Sequence, residues 1–264
     1  MAIATTQRRW VDLEGAVNVR DLGGLPLARG GHTVGGRVLR ADNLQGLTGR
    51  DVTRLVEQIG VRRVVDLRTG AEVELEGPGP LVGDERVEVR HRSLFPESGT
   101  STDVDVDGLL PWQERGLEGN VGEQPAVRAY LGYLRDRPDS VVDALRDMAD
   151  GDGAAIVHCA AGKDRTGVLC ALALETAGVL REAVVADYLA TAERLEAVLG
   201  RLRASSTYAA DLDGRPAASH LPQAHTMTRV LEVLEHRHGG AHGWLDAHGF
   251  GAADQAALRA RLTA

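Results

Sequence analysis

The first part of the chain alternates between strand-like and helical patterns of apolar residues. Between Leu47 and Gly60 the apolar residues recur at helical spacing, with Thr48 as the candidate N-cap and Gly60 as the stop. Short apolar runs lie on either side and are bounded by glycine-rich turns, which is typical of strands. The predicted strands cover residues 18–24, 36–42, 63–68 and 87–94.

From residue 125 onward, helical periodicity dominates the chain. The exception is the run 154–157, which follows a Gly-Asp-Gly turn and predicts a buried strand. Because strands alternate with helices, we expect an α/β fold with a mainly parallel central sheet flanked by helices. It would form one domain over 1–264 with a helical C-terminal third from 180 to 264. The predicted helices cover residues 125–134, 140–148, 166–178, 180–202, 222–238 and 254–262.

One long stretch follows neither period. From Glu97 to Gln124 the chain contains three aspartates at alternate positions, several glycines and no clear pattern. A loop of this length is unusual inside a compact domain, and such loops are usually lids, binding loops or disordered segments. We therefore predict a lid-like insertion over 97–124.

Composition narrows the class of protein. The 264 residues are 43% hydrophobic and 26% charged, which fits a globular domain and excludes collagen-like, disordered and disulfide-scaffold chains. Only 3% are aromatic and the formal net charge is -8, so we expect no nucleic-acid partner. A small anionic ligand is compatible with this charge where positive groups are concentrated locally.

The sequence also bears on where the protein works. The first ten residues, MAIATTQRRW, contain no apolar run that could act as a signal peptide. The longest apolar stretch, 168–180, is interrupted by Glu175 and is too short to span a bilayer. We expect a cytoplasmic protein with no integral membrane segment, and we leave leaderless secretion and the oligomeric state open.

Candidate chemistry is concentrated in the loop HCAAGKDR (158–165), between the last predicted strand and the helix that follows it. In a strand–loop–helix turn of this length the backbone N–H groups can form an anion-binding nest, and the helix N-terminus adds positive partial charge. Arg165 can grip two phosphoryl oxygens, and Lys163, the only lysine in the chain, adds charge at the mouth. The same field favours the thiolate of Cys159, which would then face a bound phosphorus as a nucleophile.

The second cysteine, Cys170, lies 11 residues after Cys159. On one helix this separation is about 16 Å, which is too far for a disulfide. We interpret Cys170 as a small buried hydrophobic residue. That position also argues against a sulfur-transfer or arsenate-reducing enzyme, which would need a different loop or a second reactive thiol.

The pattern His-Cys-x5-Arg-Thr resembles the signature loop of the cysteine-based protein tyrosine phosphatases. Together, HCAAGKDRTG (158–167) and NVRDLGG (18–24) resemble a bacterial tyrosine phosphatase family with a Gly-Lys-Asp-Arg loop, whose members include dual-specificity and lipid phosphatases. The resemblance implies a tyrosine-phosphatase-like fold and a two-step reaction through a cysteinyl-phosphate, without metal or cofactor. It continues in VVDLRTGAE (64–72), VADYL (185–189) and HGGAHGWLDAHGF (238–250) and is weakest over 97–124.

The same resemblance implies roles for the residues of the loop. Cys159 would be the nucleophile and Arg165 the clamp of the transition state. Thr166 would hydrogen-bond the sulfur and ease its departure, and His158 would buttress the loop. The phosphate would be bound by backbone N–H groups of Ala160, Ala161, Gly162, Lys163, Asp164 and Arg165.

The general acid is less clearly marked, because no Trp-Pro-Asp tripeptide, which eukaryotic tyrosine phosphatases use for this purpose, precedes the loop. Asp164 is the first candidate, Asp66 the second and Glu97 the third. For Asp66 and Arg68 two interpretations stay open. They either line the active site and help to bind substrate, or they fix the sheet edge by pairing with Asn18, Arg20 or Asp21.

We therefore predict a metal-independent phosphomonoester phosphatase that acts on phosphotyrosine protein or phosphoinositide. A phosphorylated small molecule, such as a nucleoside or a biosynthetic intermediate, is the alternative substrate. A phosphate-binding module without turnover is the alternative from another class, although the presence of both Cys159 and Arg165 counts against it. A Walker-type nucleotide loop is excluded because Asp164 follows Lys163 where Ser or Thr should bind magnesium.

Overall fold

A computed structural model of the protein describes residues 10–96, 123–212 and 216–264. The predicted insertion at 97–124, with the candidate acid Glu97, lies outside the described residues except for its last two positions. Among the helices of the described ranges, none is long and apolar enough to cross a membrane.

A mainly parallel sheet lies at the centre of the described chain, which confirms the predicted α/β class. Its strands are β1 (Arg20–Asp21), β2 (Val38–Ala41), β3 (Val61–Asp66), β4 (Glu88–His91) and β5 (Ala154–His158). Their order in the sheet is β1-β2-β5-β3-β4. Only β1 is antiparallel to its neighbour β2, and residues 22–37 connect these two strands.

The register of the parallel strands brings their last residues together. Ala41 at the end of β2 and Asp66 at the end of β3 both pair with His158 at the end of β5. The loops that follow these strands therefore start side by side at one edge of the sheet. In open α/β sheets this edge is where ligands bind.

Helices cover both faces of the sheet. The α-helices are α1 (Gly49–Thr53), α2 (Gly70–Glu76), α3 (Pro125–Asp136), α4 (Pro138–Ala149), α5 (Asp164–Ala177), α6 (Arg181–Leu189), α7 (Leu195–Ala204), α8 (Ala209–Leu212), α9 (Ala224–His238), α10 (Ala241–Ala247) and α11 (Ala252–Thr263). A π-helical turn, Arg54–Ile59, continues α1, and 3₁₀ turns cover Ala190–Arg194 and Ala217–His220.

The helix predicted between Leu47 and Gly60 has the predicted ends. Thr48 Oγ1 accepts a hydrogen bond from the Asp51 backbone N–H, and Gly60 ends the helix in the left-handed region with φ of +82°. In contrast, the single helix predicted over 180–202 is wrong. The chain leaves α-helical geometry at Ala190–Arg194, where the buried Thr191 hydroxyl accepts a hydrogen bond from Asn18. A tertiary contact has overridden the local pattern.

Alternate residues along the strands face two separate cores. Val65 and Val157 pack into the larger core, with the helices α3 to α6 and α9 to α11. Their neighbours Val64 and Ile156 pack into the second core, together with Leu55 of the π-helical turn. This period-two pattern is what a sheet covered on both faces requires. Helix α5, which follows the candidate loop, is buried along most of its length and is therefore held firmly under that loop.

Candidate active site

The loop between β5 and α5 is a tight turn that needs glycine at one position. Gly162 has a φ of +66° and lies in the left-handed region. A Cβ at this position would come within 2.4 Å of the carbonyl oxygen of Ala41. No other residue type fits this turn without moving the end of β2.

Three consecutive carbonyl groups of the loop point to donors on the protein side. Ala160 O accepts from the Asn43 backbone N–H at 2.9 Å, Ala161 O from Asn18 Nδ2 at 3.0 Å, and Gly162 O from Arg40 Nη2 at 2.8 Å. The described chain contains no cis peptide bond, and in a trans peptide the N–H group points opposite to the carbonyl. The following N–H groups are therefore directed to the other side of the loop, as an anion-binding nest requires.

Two of these three donors, Asn18 and Arg40, belong to a buried ionic network around Asp187. Its carboxylate accepts from Arg20 Nε at 3.0 Å and from Arg40 Nη1 at 2.5 Å, and Arg20 Nη1 also donates to Asn18 Oδ1 at 2.6 Å. Burial alone would raise the pKa of Asp187, but the Arg20 and Arg40 guanidiniums outweigh it and hold the pKa below its ordinary value. Asp187 thus stays ionised between two buried cations.

This network explains two motifs that the sequence analysis used only as marks of resemblance. NVRDLGG (18–24) supplies Asn18 and Arg20, and VADYL (185–189) supplies Asp187. Sequence reasoning considered Asn18 and Arg20 only as partners of Asp66 and Arg68, and it assigned no role to Asp187 or Arg40. Their partners lie more than 100 positions away along the chain, except for Asn18 and Arg20 themselves, so spacing alone could not reveal the contacts.

Arg165, at the start of α5, is held by Glu72 of α2. Its Nη1 and Nη2 donate to the two carboxylate oxygens of Glu72 at 2.5 and 2.9 Å. The ring of Phe95 lies 5.6 Å from the guanidinium carbon. Burial alone would raise the pKa of Glu72, but Arg165 outweighs it and lowers the pKa, so the carboxylate is ionised. These two hydrogen bonds hold the Arg165 guanidinium in one orientation.

Glu72 is a site residue that sequence reasoning missed, although a signal was present. Thr69 and Glu72 form a capping box at the start of α2, in which the Thr69 backbone N–H donates to Glu72 Oε2 at 2.7 Å. The pattern Thr-x-x-Glu directly after the β3 strand marks such a cap. It could have predicted helix α2 and placed a carboxylate at the ligand-binding edge of the sheet.

A pocket opens above the loop and is lined by Cys159, Lys163, Asp164 and Arg165 on its polar side. Cys159 itself is only 2% exposed and packs into the larger core, whereas its neighbour Ala160 packs into a third apolar cluster. The apolar wall of the pocket comes from α7, α8 and their connection, with Leu195, Val198, Leu199, Leu202, Tyr208 and Leu212. The site therefore combines a charged floor, in which Lys163 and Arg165 each lie beside a carboxylate, with an apolar wall.

Asp164 and Lys163 stand together at the rim of this pocket. Asp164 Oδ1 accepts a hydrogen bond from Tyr130 Oη at 2.5 Å, and Lys163 Nζ lies 3.5 Å from the same oxygen. Lys163 Nζ also donates to the carbonyl oxygen of His220 at 2.9 Å. Both predicted site residues are thus at the ligand-binding side of the loop.

His158, Asp66 and Arg68 lie beneath the loop and are not among the described residues that line the pocket. Arg68 Nη2 donates to Asp66 Oδ2 at 2.6 Å, and His158 Nε2 lies 3.6 Å from Asp66 Oδ1. Burial alone would raise the pKa of Asp66, but the neighbouring His158 and the hydrogen bonds and charge of Arg68 hold it well below its ordinary value. Burial lowers the pKa of His158, so its ring is neutral near pH 7. Asp66 and Arg68 pair with each other instead of with Asn18, Arg20 or Asp21.

The two remaining predictions concern buried side chains of α5. The Thr166 hydroxyl is fully buried and has no hydrogen-bond partner among the described residues. Cys170 is free and buried, and burial raises the pKa of its thiol to about 11. It is therefore the inert hydrophobic residue that the sequence predicted.

In the described ranges, no three His, Cys, Asp or Glu side chains form a group that could hold a metal ion.

The model of the tyrosine phosphatase family matches residues 11–264 of this chain. The chain belongs to the tyrosine phosphatase family. It is similar to a tyrosine-protein phosphatase of Nostoc commune, with 31% identity over 232 residues that cover 85% of this chain and 73% of the relative. It is also similar to the triple specificity protein phosphatase PtpB of Mycobacterium tuberculosis, with 28% identity over 243 residues that cover 84% and 83% of the two chains.

Proposed function

We propose that this phosphatase hydrolyses phosphomonoesters through a cysteinyl-phosphate on Cys159. The observation that carries the proposal is the loop from Cys159 to Arg165, whose carbonyl groups are held toward the protein interior while Cys159 and Arg165 line one pocket. A phosphate in that nest would place its phosphorus opposite the Cys159 sulfur. Arg165, fixed by Glu72, would bind two of the equatorial oxygens and stabilise the charge of the transition state.

In the first step the Cys159 thiolate attacks phosphorus, the S–P bond forms and the P–O ester bond breaks. The leaving oxygen takes a proton from Asp164 and departs as an alcohol or phenol. In the second step water attacks phosphorus, its proton passes to the Asp164 carboxylate, and the S–P bond breaks. The products are inorganic phosphate and the regenerated thiolate, so the cycle needs no redox partner.

Asp164 is our choice of general acid because it lines the pocket. Asp66 fits the role poorly, since it lies below the loop and Arg68 keeps its carboxylate ionised. Glu97 lies outside the described residues, and its role as an acid stays a prediction. Thr166, whose buried hydroxyl is two positions into α5, is the proposed donor to the departing sulfur.

His158 is proposed to act as a structural support of the loop. Its Nδ1 lies 3.3 Å from the carbonyl oxygen of Cys159, and its neutral ring suits a hydrogen-bonding role better than proton transfer. The Asp66–Arg68 pair below it would fix the ring from the other side.

For the substrate we propose an aryl phosphate of the phosphotyrosine type. A phenyl ring needs an apolar wall next to the cationic phosphate site, and α7 and α8 supply that wall. The names of the relatives, a tyrosine phosphatase and a triple specificity phosphatase, support this class. Phosphoinositides and phosphorylated small molecules are the alternatives, and a cytoplasmic location stays a prediction.

The test is phosphate release from phosphotyrosine peptide, phosphoserine peptide, phosphoinositide and a phosphorylated nucleoside, with a chelator present. We expect metal-independent turnover that is highest on phosphotyrosine and is abolished in Cys159→Ser. The matched control is Cys170→Ala, which removes the other thiol and should retain turnover. Phosphate binding without release by the unmodified protein would instead support a binding module, and equal activity in Cys159→Ser would remove the nucleophile assignment.

A further inference from the structure

Two buried tyrosines form a hydrogen-bonded chain behind Asp164. Tyr130 of α3 donates from Oη to Asp164 Oδ1 at 2.5 Å, and Tyr188 Oη of α6 lies 2.9 Å from Tyr130 Oη. Both side chains are only 2% exposed. The resemblance and the motif analysis assigned no role to either hydroxyl, and the reaction described above does not use them.

We propose that Tyr130 is a positioning residue that aims Asp164 at the leaving oxygen, and that Tyr188 holds Tyr130 in place. This inference rests on the proposed function, because it needs Asp164 to be the general acid. Tyr130 touches the acid and not the substrate, so it is not itself a catalytic residue.

The direction of the hydrogen bonds carries the argument. An ionised carboxylate can only accept, so the Tyr130 hydroxyl must be the donor to Asp164. Its oxygen is then free to accept from Tyr188, which gives one consistent direction along the chain. Burial, followed by the effect of Asp164, raises the pKa of Tyr130 well above its usual value, so the phenol keeps its proton.

This arrangement decides which carboxyl oxygen can carry the acidic proton. The contacts from Tyr130 and Lys163 are both made to Oδ1 of Asp164. A carboxyl group whose Oδ1 accepts a hydrogen bond places its own proton on Oδ2. The Tyr130 bond therefore presents Oδ2 as the proton donor and fixes the torsion of the carboxyl group.

Packing keeps the two rings from moving. The Tyr130 ring stacks on Tyr133 with centroids 5.9 Å apart and meets the Tyr188 ring edge-on at 6.2 Å. The Tyr188 ring also lies against the first turn of α5, where a Cβ on Gly167 would come within 3.0 Å of it. The hydroxyl chain is thus anchored to the same helix that carries Asp164 and Arg165.

The experiment compares Tyr130→Phe, Asp164→Asn and the double variant on two aryl phosphates. The activated substrate p-nitrophenyl phosphate needs little help from an acid, whereas phenyl phosphate has a poor leaving group. We expect Tyr130→Phe to lower kcat on phenyl phosphate about tenfold more than on p-nitrophenyl phosphate, with KM unchanged. In the Asp164→Asn background the same change should have no further effect, because the group to be aimed is gone.

The control is Thr176→Val. It removes a buried hydroxyl of α5 that donates to Leu172 O within the helix and lies outside the tyrosine chain. It should leave the ratio of the two rates unchanged. If Tyr130→Phe does not fold, Tyr188→Phe tests the same chain and should shift the ratio in the same direction by about two- to threefold.

Four results would overturn the inference. Equal loss on both substrates would show that Tyr130 is merely structural, and so would a full additional loss in the Asp164→Asn background. An unchanged ratio in both tyrosine variants would remove the positioning role altogether. If Asp164→Asn itself does not discriminate between the substrates, the acid assignment and this inference fail together, while Cys159-dependent turnover would still stand.

Discussion

Replacing Asp187 by asparagine tests whether the buried ionic network holds the phosphate loop. The change keeps the shape of the side chain but removes its negative charge. Arg20 and Arg40, each 1% exposed, would then face one neutral amide. Burial already lowers the pKa of Arg20 to about 10, which shows how strongly the site disfavours uncompensated positive charge.

The expected loss follows from the burial of all three groups. Breaking a buried ion pair by removing one partner costs about 3–5 kcal/mol, because the other charge stays buried without compensation. Asp254 offers a matched control, since it also accepts from an arginine, Arg146, at 3.0 Å, but the two side chains are 35% and 43% exposed. A pair at that exposure contributes roughly 0–1 kcal/mol.

Urea unfolding of the wild type, Asp187→Asn and Asp254→Asn measures both values. We expect a lower midpoint for Asp187→Asn at an unchanged slope, with a loss of about 3–5 kcal/mol, and almost no shift for Asp254→Asn. The folded fraction of Asp187→Asn should also bind inorganic phosphate more weakly, because Arg40 no longer fixes the Gly162 carbonyl. A loss below about 1 kcal/mol for Asp187→Asn would refute the reasoning.

Three further predictions follow from the site. Glu72→Gln should lower kcat/KM about tenfold or more without unfolding the protein, because Arg165 loses its ionic partner, and steady-state kinetics against the wild type would show it. Gly162→Ala should abolish inhibition by inorganic phosphate. The control is Gly178, which also has a positive φ, of +84°, but open space around an added Cβ, so Gly178→Ala should only cost about 1–3 kcal/mol of stability. Equal inhibition constants for the two variants would contradict this prediction. Folding lowers the pKa of His158, so below about pH 6.5 the unfolded chain binds a proton that the folded protein does not. The free energy of unfolding should therefore fall as the pH drops below this value, by up to about 1.4 kcal/mol per pH unit. Urea titrations at several pH values should show that His158→Gln flattens this dependence.

The candidate loop could be predicted from the sequence because its reactive and charged residues are contiguous. Cys159, Lys163, Asp164 and Arg165 lie within seven positions and line one pocket. A short strand before them and a buried helix after them are also local signals. The β-strands and most helices were predictable for the same reason, since each depends on the period of a few neighbouring residues.

The parts that were not predicted depend on contacts between distant segments. The orientation of Arg165 is set by Glu72, 93 positions away, and the loop carbonyls are held by Asn18, just before β1, and by Arg40 of the neighbouring strand β2. The break between α6 and α7 likewise arises where Thr191 meets Asn18, although the apolar period continues through it. The pattern of apolar residues within one segment does not indicate which distant residue that segment will contact.

The charged side chains of the Asp-Leu-Arg motif, Asp66 and Arg68, pair with each other and not with another segment. Sequence analysis left open whether these residues line the active site or fix the sheet edge through the N-terminal motif. In the structure the two side chains bond to each other, two positions apart, directly beneath His158. The chain leaves the strand after Asp66, and this change of direction lets two side chains that are two positions apart bond to each other. A prediction that treated 63–68 as one extended strand did not indicate this pair.

The most direct test of the account is to trap phosphate on Cys159. The protein is mixed with p-nitrophenyl phosphate, quenched with acid within the first turnovers, digested and analysed by mass spectrometry. We expect the peptide that contains Cys159 to carry one phosphoryl group, more of it in Asp164→Asn, whose second step lacks its base, and none in Cys159→Ser. A phosphoryl group on any other residue, or turnover with no phosphorylated Cys159 in either protein, would contradict the proposed mechanism.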